Sequence, residues 1–367
     1  MNRLFLPHCR KLLDSLSESL IYVDVGARNG MFELAAIAPY VKAYGFEPNP
    51  EEYEKLKSGD TDVSWLGVPA PKYAETHYSP YAVGNANGTQ KIYITNGPGA
   101  VGLIEPDIDR LREIIWKGRR YHPNFGDEIF QVRKTAPVEV KTLGSFAREN
   151  GLTRMDFLKI DVEGMEYEVL EGAGDLLADT SVIKVEVCFI PFRKNQKLFS
   201  HVDLLLRSFG FDLLKFETVQ AQVGYKEREY PFSVGPAVGW PDRYGQALSC
   251  DAIYVNRNTS GQRAVAQAVV LIEKNYLDEA LFILKRRSGV RDEELFDLLK
   301  NWRGGPKTKL FNLLAGSALK LQSYAHPARS FRRWLGWRRL KKQGRVSFAS
   351  AAKTNAAPGE KAETVRK

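Results

Sequence analysis

Apolar and polar positions follow two different periods along this chain. As far as residue 256, short apolar runs of strand type alternate with stretches of helical spacing. From Thr259 onward the spacing is helical only. Within Leu4 to Leu20, the positions of Leu12, Leu13, Leu16 and Leu20 predict an N-terminal helix that leads into the first strand. Ile21, Tyr22, Val23 and Val25 surround Asp24 in a buried-type strand. Gly26 and Gly30 break it, and Met31, Leu34, Ala35 and Ala38 resume at helical intervals. Lys42 to Phe46 reads as a second strand, stopped by Pro48 and Pro50, and Glu51 to Lys57 as a helix. Strand, helix, strand and helix in such close succession predict a parallel sheet.

Further on, Tyr78 to Thr95 reads as a third strand plus an added hairpin, with Asn87-Gly88 as its tight turn. Residues 96–137 are irregular apart from a helical patch, Ile108 to Trp116. A stretch of that length inside a compact domain is either a substrate-facing lid or a surface excursion. Val138 to Lys141 is a short strand. Thr142 caps a helix that runs through Asn150 and closes at Gly151. Met155 to Asp161 is a buried-type strand, Val162-Glu163-Gly164 a turn, and Met165 to Leu177 a helix. Val182 to Val187 is a fifth strand and Leu198 to Phe209 a helix. Phe211 to Glu217 and Ala252 to Val255 are the last strands. Two helices then form a hairpin, Ala264 to Lys274 and Leu277 to Arg287, with a faint likeness to one tetratricopeptide unit. Gly304, Gly305 and Pro306 open a linker. The expected division is an N-terminal helix over 1–20, a main domain over 21–256, a helical hairpin over 257–304 and a tail over 305–367.

Composition changes this picture in one place. Apolar content is 44% and charged content 26%, as in ordinary globular domains. No run of about 18 apolar residues predicts a membrane-spanning helix. The first twenty residues lack the long apolar core of a secretory signal. Cys9, Cys188 and Cys250 have no metal-ligand spacing, and three cysteines fit a reducing cytoplasm. The net charge of +9, however, belongs to the tail: fourteen Lys or Arg and no acidic residue lie between Asp297 and Glu360. Residues 1–297 are therefore net acidic, which argues against a nucleic-acid partner. Within 329–345, basic residues interleave with Trp334 and Trp337. That pattern suits an anionic membrane surface, and equally phosphates or plain solvation. The expected location is cytoplasmic, with peripheral contact at the inner face of the membrane.

Candidate chemistry begins at the first glycine loop. Gly26 and Gly30 are spaced Gly-x-x-x-Gly, so the dinucleotide fingerprint is absent and NAD or FAD is disfavoured. Glycines let a ligand approach the backbone, and a following helix N-terminus would offer free N–H groups. Glu47 ends the second strand 17 residues after Gly30. A carboxylate there can accept two hydrogen bonds from a ribose. A structural turn and a solvated carboxylate are the plain alternatives.

Three motifs then converge. They are D-V-G-A-R-N-G at 24–30, G-F-E-P-N-P at 45–50 and D-F-L-K-I-D-V-E-G-M-E-Y-E-V-L at 156–170. Y-A-V-G-N-A-N-G at 81–88, V-K-T-L at 140–143 and V-I-K-V-E-V at 182–187 support them in order. Over roughly 21–256 the chain resembles the FkbM-type methyltransferases that use S-adenosyl-L-methionine. The resemblance implies an α/β, Rossmann-like class I methyltransferase fold, with a mostly parallel sheet of seven strands whose last strand is antiparallel. The helical hairpin is then a C-terminal extension. Asp24, Gly26 and Gly30 would surround the methionine portion and ribose, and Glu47 would hold the ribose hydroxyls. Ala82 and Val83, after Tyr81, would lie near the adenine, and Asp161 beside the methyl group. The family implies O-methylation of a hydroxylated acceptor such as a sugar, glycan or glycolipid. The alternative is a non-catalytic interaction module built on the cofactor fold.

Methyl transfer needs an aligned oxygen nucleophile and an acceptor for its proton. Asp161 is the first choice for that base and Glu163 the second. Glu163 and Glu166 equally suit fixing the turn and helix. Glu186 is placed to join Asp161 around a metal, but no ligand pattern supports one, so no metal is assigned. His77, His122 and His201 read as structural or surface residues. The family loop at 99–107 often carries small hydroxyl residues where this chain has Val101 and Gly102, so no acceptor contact is assigned there.

Overall fold

The computed structural model describes residues 6–59, 70–114, 127–221, 247–291 and 293. The expected basic stretch at 329–345, His122 and most of the loop at 218–251 lie outside them. Helix α1 spans Leu6–Asp14, followed by β1 (Leu20–Val25) and β2 (Val41–Phe46). Then come α2 (Pro50–Ser58), β3 (Glu75–Ser79), β4 (Ala82–Val83) and β5 (Gly88–Thr95). They are followed by α3 (Ile108–Ile114), β6 (Val132–Lys141), α4 (Leu143–Glu149), β7 (Met155–Ile160) and α5 (Glu166–Ala173). The chain continues with β8 (Thr180–Cys188), α6 (Phe199–Ser208), β9 (Phe211–Ala221), β10 (Ala247–Asn256), α7 (Gly261–Glu273) and α8 (Leu277–Arg287).

The main sheet has seven strands in the order β3-β2-β1-β7-β8-β10-β9. All pairs from β3 to β8 are parallel, and β10 runs antiparallel to both β8 and β9. This is the α/β sheet that the resemblance implies. Every residue of β1 is buried, as expected of a strand covered on both faces. Ile21, Val23 and Val25 pack with Leu158, Ile160, Ile183 and Val185, and with Phe146, Leu170 and Leu206 from helices α4 to α6. The opposite face is covered by α7, which packs on β7 and β8 and against α1 and α8. All residues from Ala264 to Ile272 are buried, and all but Gln267, whose amide is hydrogen-bonded to Thr259, Ser181 and Asn256, are apolar; a helix of this kind must sit inside the fold. The hairpin expected as an extension thus supplies one of the two layers over the sheet.

Local chemistry explains the helix ends. Asn49 caps α2 by accepting from the Glu51 N–H at 3.2 Å, Pro50 begins the helix, and Gly59 ends it in the left-handed region. Thr142 caps α4 through the Ser145 N–H at 3.1 Å.

Three expectations are corrected. The strand expected over Val138–Lys141 begins at Val132, inside the stretch expected to be irregular. The helix expected from Met31 is not an α-helix. Leu34 is left-handed, at φ 55°, and residues Ala35–Tyr40 form a 3₁₀ segment with Pro39 inside it. Proline lacks the N–H that an α-helix interior needs. Glu33 is also drawn under the sheet by ion pairs to Lys184, at 3.0 Å, and Lys274. The third strand is Glu75–Ser79 rather than a strand beginning at Tyr78. Ala82 and Val83 instead join a second, three-stranded sheet, β4-β6-β5. Among the described residues, no helix is long and apolar enough to cross a membrane.

Candidate functional site

The carboxyl ends of β1, β2 and β7 open into a cavity of about 350 Å³. This is where ligands sit in an open parallel sheet. Gly26, Glu47, Ala82, Val83, Asp161 and Glu163 all line it. Pro98, Gly99, Val101, Gly102 and Leu103 add a further wall. Four stretches far apart in the sequence, around Gly26, Glu47, Ala82 and Asp161, therefore meet at one cavity.

The strand ends are fastened to one another. The Gly26 and Ala27 N–H groups both donate to the Phe46 carbonyl, at 3.1 and 2.8 Å, and the Asp161 N–H donates to the Val25 carbonyl at 2.9 Å. Gly26 has φ +94°, and any Cβ there would overlap the backbone oxygen of Asp161. The glycine serves the approach of one strand end to another, which is what fixes Asp161 at the cavity edge. The Asp161 side chain is 43% exposed, open to the cavity.

Asp24 and Gly30 are placed differently from the expectation. Asp24 is 2% exposed and does not line the cavity. Its two oxygens are taken by the Tyr22 hydroxyl and, at 3.1 Å, by the Lys159 ammonium. Burial raises its pKa, and Lys159 and the Tyr22 hydrogen bond oppose that rise. Gly30, at φ +104°, lies beside the Phe32 ring and the Tyr78 hydroxyl rather than on the cavity wall.

Lys159 is the residue that sequence reasoning missed, although it stands inside the quoted K-I-D-V-E-G run. Its ammonium lies 3.1 Å from Asp24, 3.4 Å from the Gly26 carbonyl and 3.7 Å from Asp161. Burial acts to lower its pKa, but Asp24 and Asp161 outweigh it and the net shift is upward. Lys159 is thus a fixed cation joining the buried Asp24 to the open Asp161.

Glu47 is 6% exposed. One oxygen accepts from the Asn49 N–H at 2.8 Å, and the other has no hydrogen bond among the described residues. Burial pushes its pKa up to about 7, against the Asn49 hydrogen bond. A carboxylate so held has its free oxygen available to vicinal hydroxyls. Ala82 and Val83 are each 3% exposed and form an apolar wall.

The turn after β7 is built by its acids. Glu166 accepts from the Val162 and Gly164 N–H groups at 3.2 and 3.0 Å, and burial raises its pKa to about 7. Its role is to fix the turn. Glu163 has φ +60°, an unusual backbone state for a non-glycine residue, and pairs with the Arg193 guanidinium at 2.8 Å. Glu186 lies beside them, and burial together with Asp161 and Glu163 drives its pKa well upward. One carboxylate oxygen each from Asp161, Glu163 and Glu186 lies within 4.8 Å of the others. That spacing can chelate a divalent cation, though Lys159 and Arg193 already face two of the three.

Comparison with known proteins bears on this site. The profile of the methyltransferase FkbM domain matches residues 24–213. The methyltransferase sdnD of Sordaria araneosa is 31% identical over 184 residues, which cover 47% of this chain and 67% of that protein. The AMB antimetabolite synthetase AmbE of Pseudomonas aeruginosa is 30% identical over 194 residues, 47% of this chain but only 8% of that protein. Among solved structures, the magnesium protoporphyrin IX methyltransferase ChlM of Synechocystis with bound SAM is 9% identical. The match covers 69% of this chain and 77% of that one, with a TM-score of 0.29.

Proposed function

The chain belongs to the FkbM family of methyltransferases, and from that premise we propose that it methylates a hydroxyl oxygen of a sugar, glycan or related small-molecule acceptor. The family's methyl donor is S-adenosylmethionine. The cavity suits that donor: a buried carboxylate, Glu47, stands ready for a ribose, and the apolar wall of Ala82 and Val83 for a flat base. When bound, the donor supplies an electrophilic methyl group on a sulfonium.

The single observation that carries the reading is Asp161. It is a partly open carboxylate, held at the cavity edge by Gly26 and flanked by Lys159. In this reading Asp161 would accept a hydrogen bond from the acceptor hydroxyl and take up its proton as that oxygen gains the methyl group, while the C–S bond pair would stay with sulfur in the departing S-adenosylhomocysteine. Lys159 keeps Asp161 oriented. Glu163 is tied to Arg193, and so shapes the wall rather than moving the proton. A small-molecule acceptor also agrees with the likeness to part of an antimetabolite synthetase.

The test is incubation with methyl-labelled S-adenosylmethionine and a panel of nucleotide sugars, glycolipids and hydroxylated small molecules, followed by mass analysis. A label on oxygen that is lost in Asp161→Asn supports the proposal. Labelled nitrogen or carbon, or an unimpaired Asp161→Asn variant, overturns it.

A further inference from the structure

Arg193 lies in the connection between β8 and α6 and is 2% exposed, the bulkiest side chain so deeply buried among the described residues. A guanidinium sealed from water is costly unless its donors are met. Three of its five N–H donors are met here, by two separate parts of the cavity wall. One terminal nitrogen donates to the Ile104 carbonyl at 3.1 Å. The other donates to the Ala100 carbonyl at 2.9 Å and to the Glu163 carboxylate at 2.8 Å.

The surrounding backbone is shaped to admit this side chain. A Cβ on Gly164 would come within 2.8 Å of the Arg193 Cδ. A Cβ on Gly102 would lie 3.1 Å from the Glu163 carbonyl oxygen and 3.3 Å from an Arg193 terminal nitrogen. Gly102 therefore occupies its place because the wall closes directly onto the Glu163–Arg193 pair. The Arg193 backbone is fixed as well. The Gln196 side-chain oxygen accepts from the Phe192 and Arg193 N–H groups, and the Lys194 N–H donates to the Glu105 carbonyl at 3.0 Å.

The sheet order gives this clamp a direction. Glu47 follows β2, Asp161 follows β7, and Arg193 comes after β8, so the three stand in that sequence across the sheet. The ribose carboxylate and the clamp lie on opposite sides of Asp161. We infer that Arg193 is a positioning residue for the acceptor side of the cavity: it locks the 98–104 wall to Glu163, so that the surface meeting the acceptor hydroxyl is built before the acceptor arrives. The inference rests on the proposed O-methyl transfer. It assigns Arg193 no contact with the donor.

The test uses the full chain and two variants of different kinds. Arg193→Lys keeps the charge but cannot make all three bonds. Gly102→Ala keeps every bonding group and wedges the wall away from the pair. Three quantities are read: calorimetric affinity for S-adenosylhomocysteine, amide hydrogen exchange over 98–107, and the KM and kcat for whichever acceptor the panel identifies. Both variants should speed exchange over 98–107 and raise acceptor KM by about tenfold or more, the worth of one charged hydrogen bond. Affinity for S-adenosylhomocysteine should stay within about threefold, less than such a bond is worth. Unchanged exchange in both variants, or loss of S-adenosylhomocysteine affinity as large as the rise in KM, overturns the inference. If no acceptor is methylated by the wild-type chain, the functional reading fails, while exchange and S-adenosylhomocysteine affinity still decide the clamp.

Discussion

Gly26 and Asp161 touch through their backbones so closely that no Cβ fits between them. The glycine motif after β1 and the acidic motif after β7 are therefore one structural unit. A Gly26→Ala chain would carry both an unfavourable φ of +94° and a collision with the Asp161 carbonyl. Such strain and overpacking should destabilise the fold by about 2–4 kcal/mol, read from urea unfolding. Methyl transfer should fall further than stability does, because the relief available is a shift of Asp161. An active, equally stable Gly26→Ala protein would contradict this reading of the contact.

Asp161 and Glu163 are separated by their partners. Asp161 is open to the cavity and lies 3.7 Å from Lys159, while Glu163 is bound to Arg193 at 2.8 Å. Asp161→Asn should lower kcat by about 10²–10⁴-fold, as for loss of a general base. Glu163→Gln should lower it by less than about tenfold, since the carboxamide oxygen still accepts a hydrogen bond from the charged Arg193 guanidinium. Steady-state kinetics of the two variants decide this. A larger loss in Glu163→Gln would exchange the two roles.

The sheet was legible because its strands are nearly continuous apolar runs, and the turn after β7 because the acids of K-I-D-V-E-G stand at its corner. Both helices of the hairpin were legible because Ala264 to Leu284 keeps helical spacing; the bounds of α8 agree with the expectation, while α7 begins earlier, at Gly261. The absent helix after Gly30 had a signal in Pro39, but the pull of Lys184 and Lys274 on Glu33 comes from strands and helices far along the chain. The early part of β6 was missed because Val132 to Thr135 is exposed and has no buried alternation. Arg193 left no trace, since two of its three partners are backbone carbonyls, one of them 93 residues earlier. Lys159 was visible as a letter but not as a bridge. A lysine within a buried strand needs a buried anion, and Asp24 is that anion.

Lys159 should therefore matter for folding as well as for the site. Its side chain is 17% exposed and Asp24 is 2% exposed. Lys159→Met would leave Asp24 buried with only the Tyr22 hydroxyl. Breaking one side of such a pair costs about 3–5 kcal/mol. The double variant Asp24→Asn with Lys159→Met should recover most of that loss, because no buried charge remains. Urea unfolding of the two single variants and the double variant gives the coupling. Additive losses would mean that the pair is not the reason for the lysine.

Glu47 makes both stability and donor binding depend on pH, in opposite directions. Burial raises its folded pKa to about 7, above the ordinary value of 4.5. Between those two values the folded state holds more protons than the unfolded state, so stability in the absence of donor falls as pH rises through that window. Glu166, also raised to about 7 by burial, acts in the same window and the same direction. A ribose donates hydrogen bonds to the ionised form of Glu47, so donor affinity should rise as pH passes from about 6 to 8 and then level off. Glu47→Gln should bind S-adenosylmethionine more weakly at pH 8 and lose most of that pH dependence, while Glu166→Gln should leave the affinity profile unchanged. Calorimetric titration across the range measures both. A wild-type affinity that does not change between pH 6 and 8 would remove Glu47 from the ribose site.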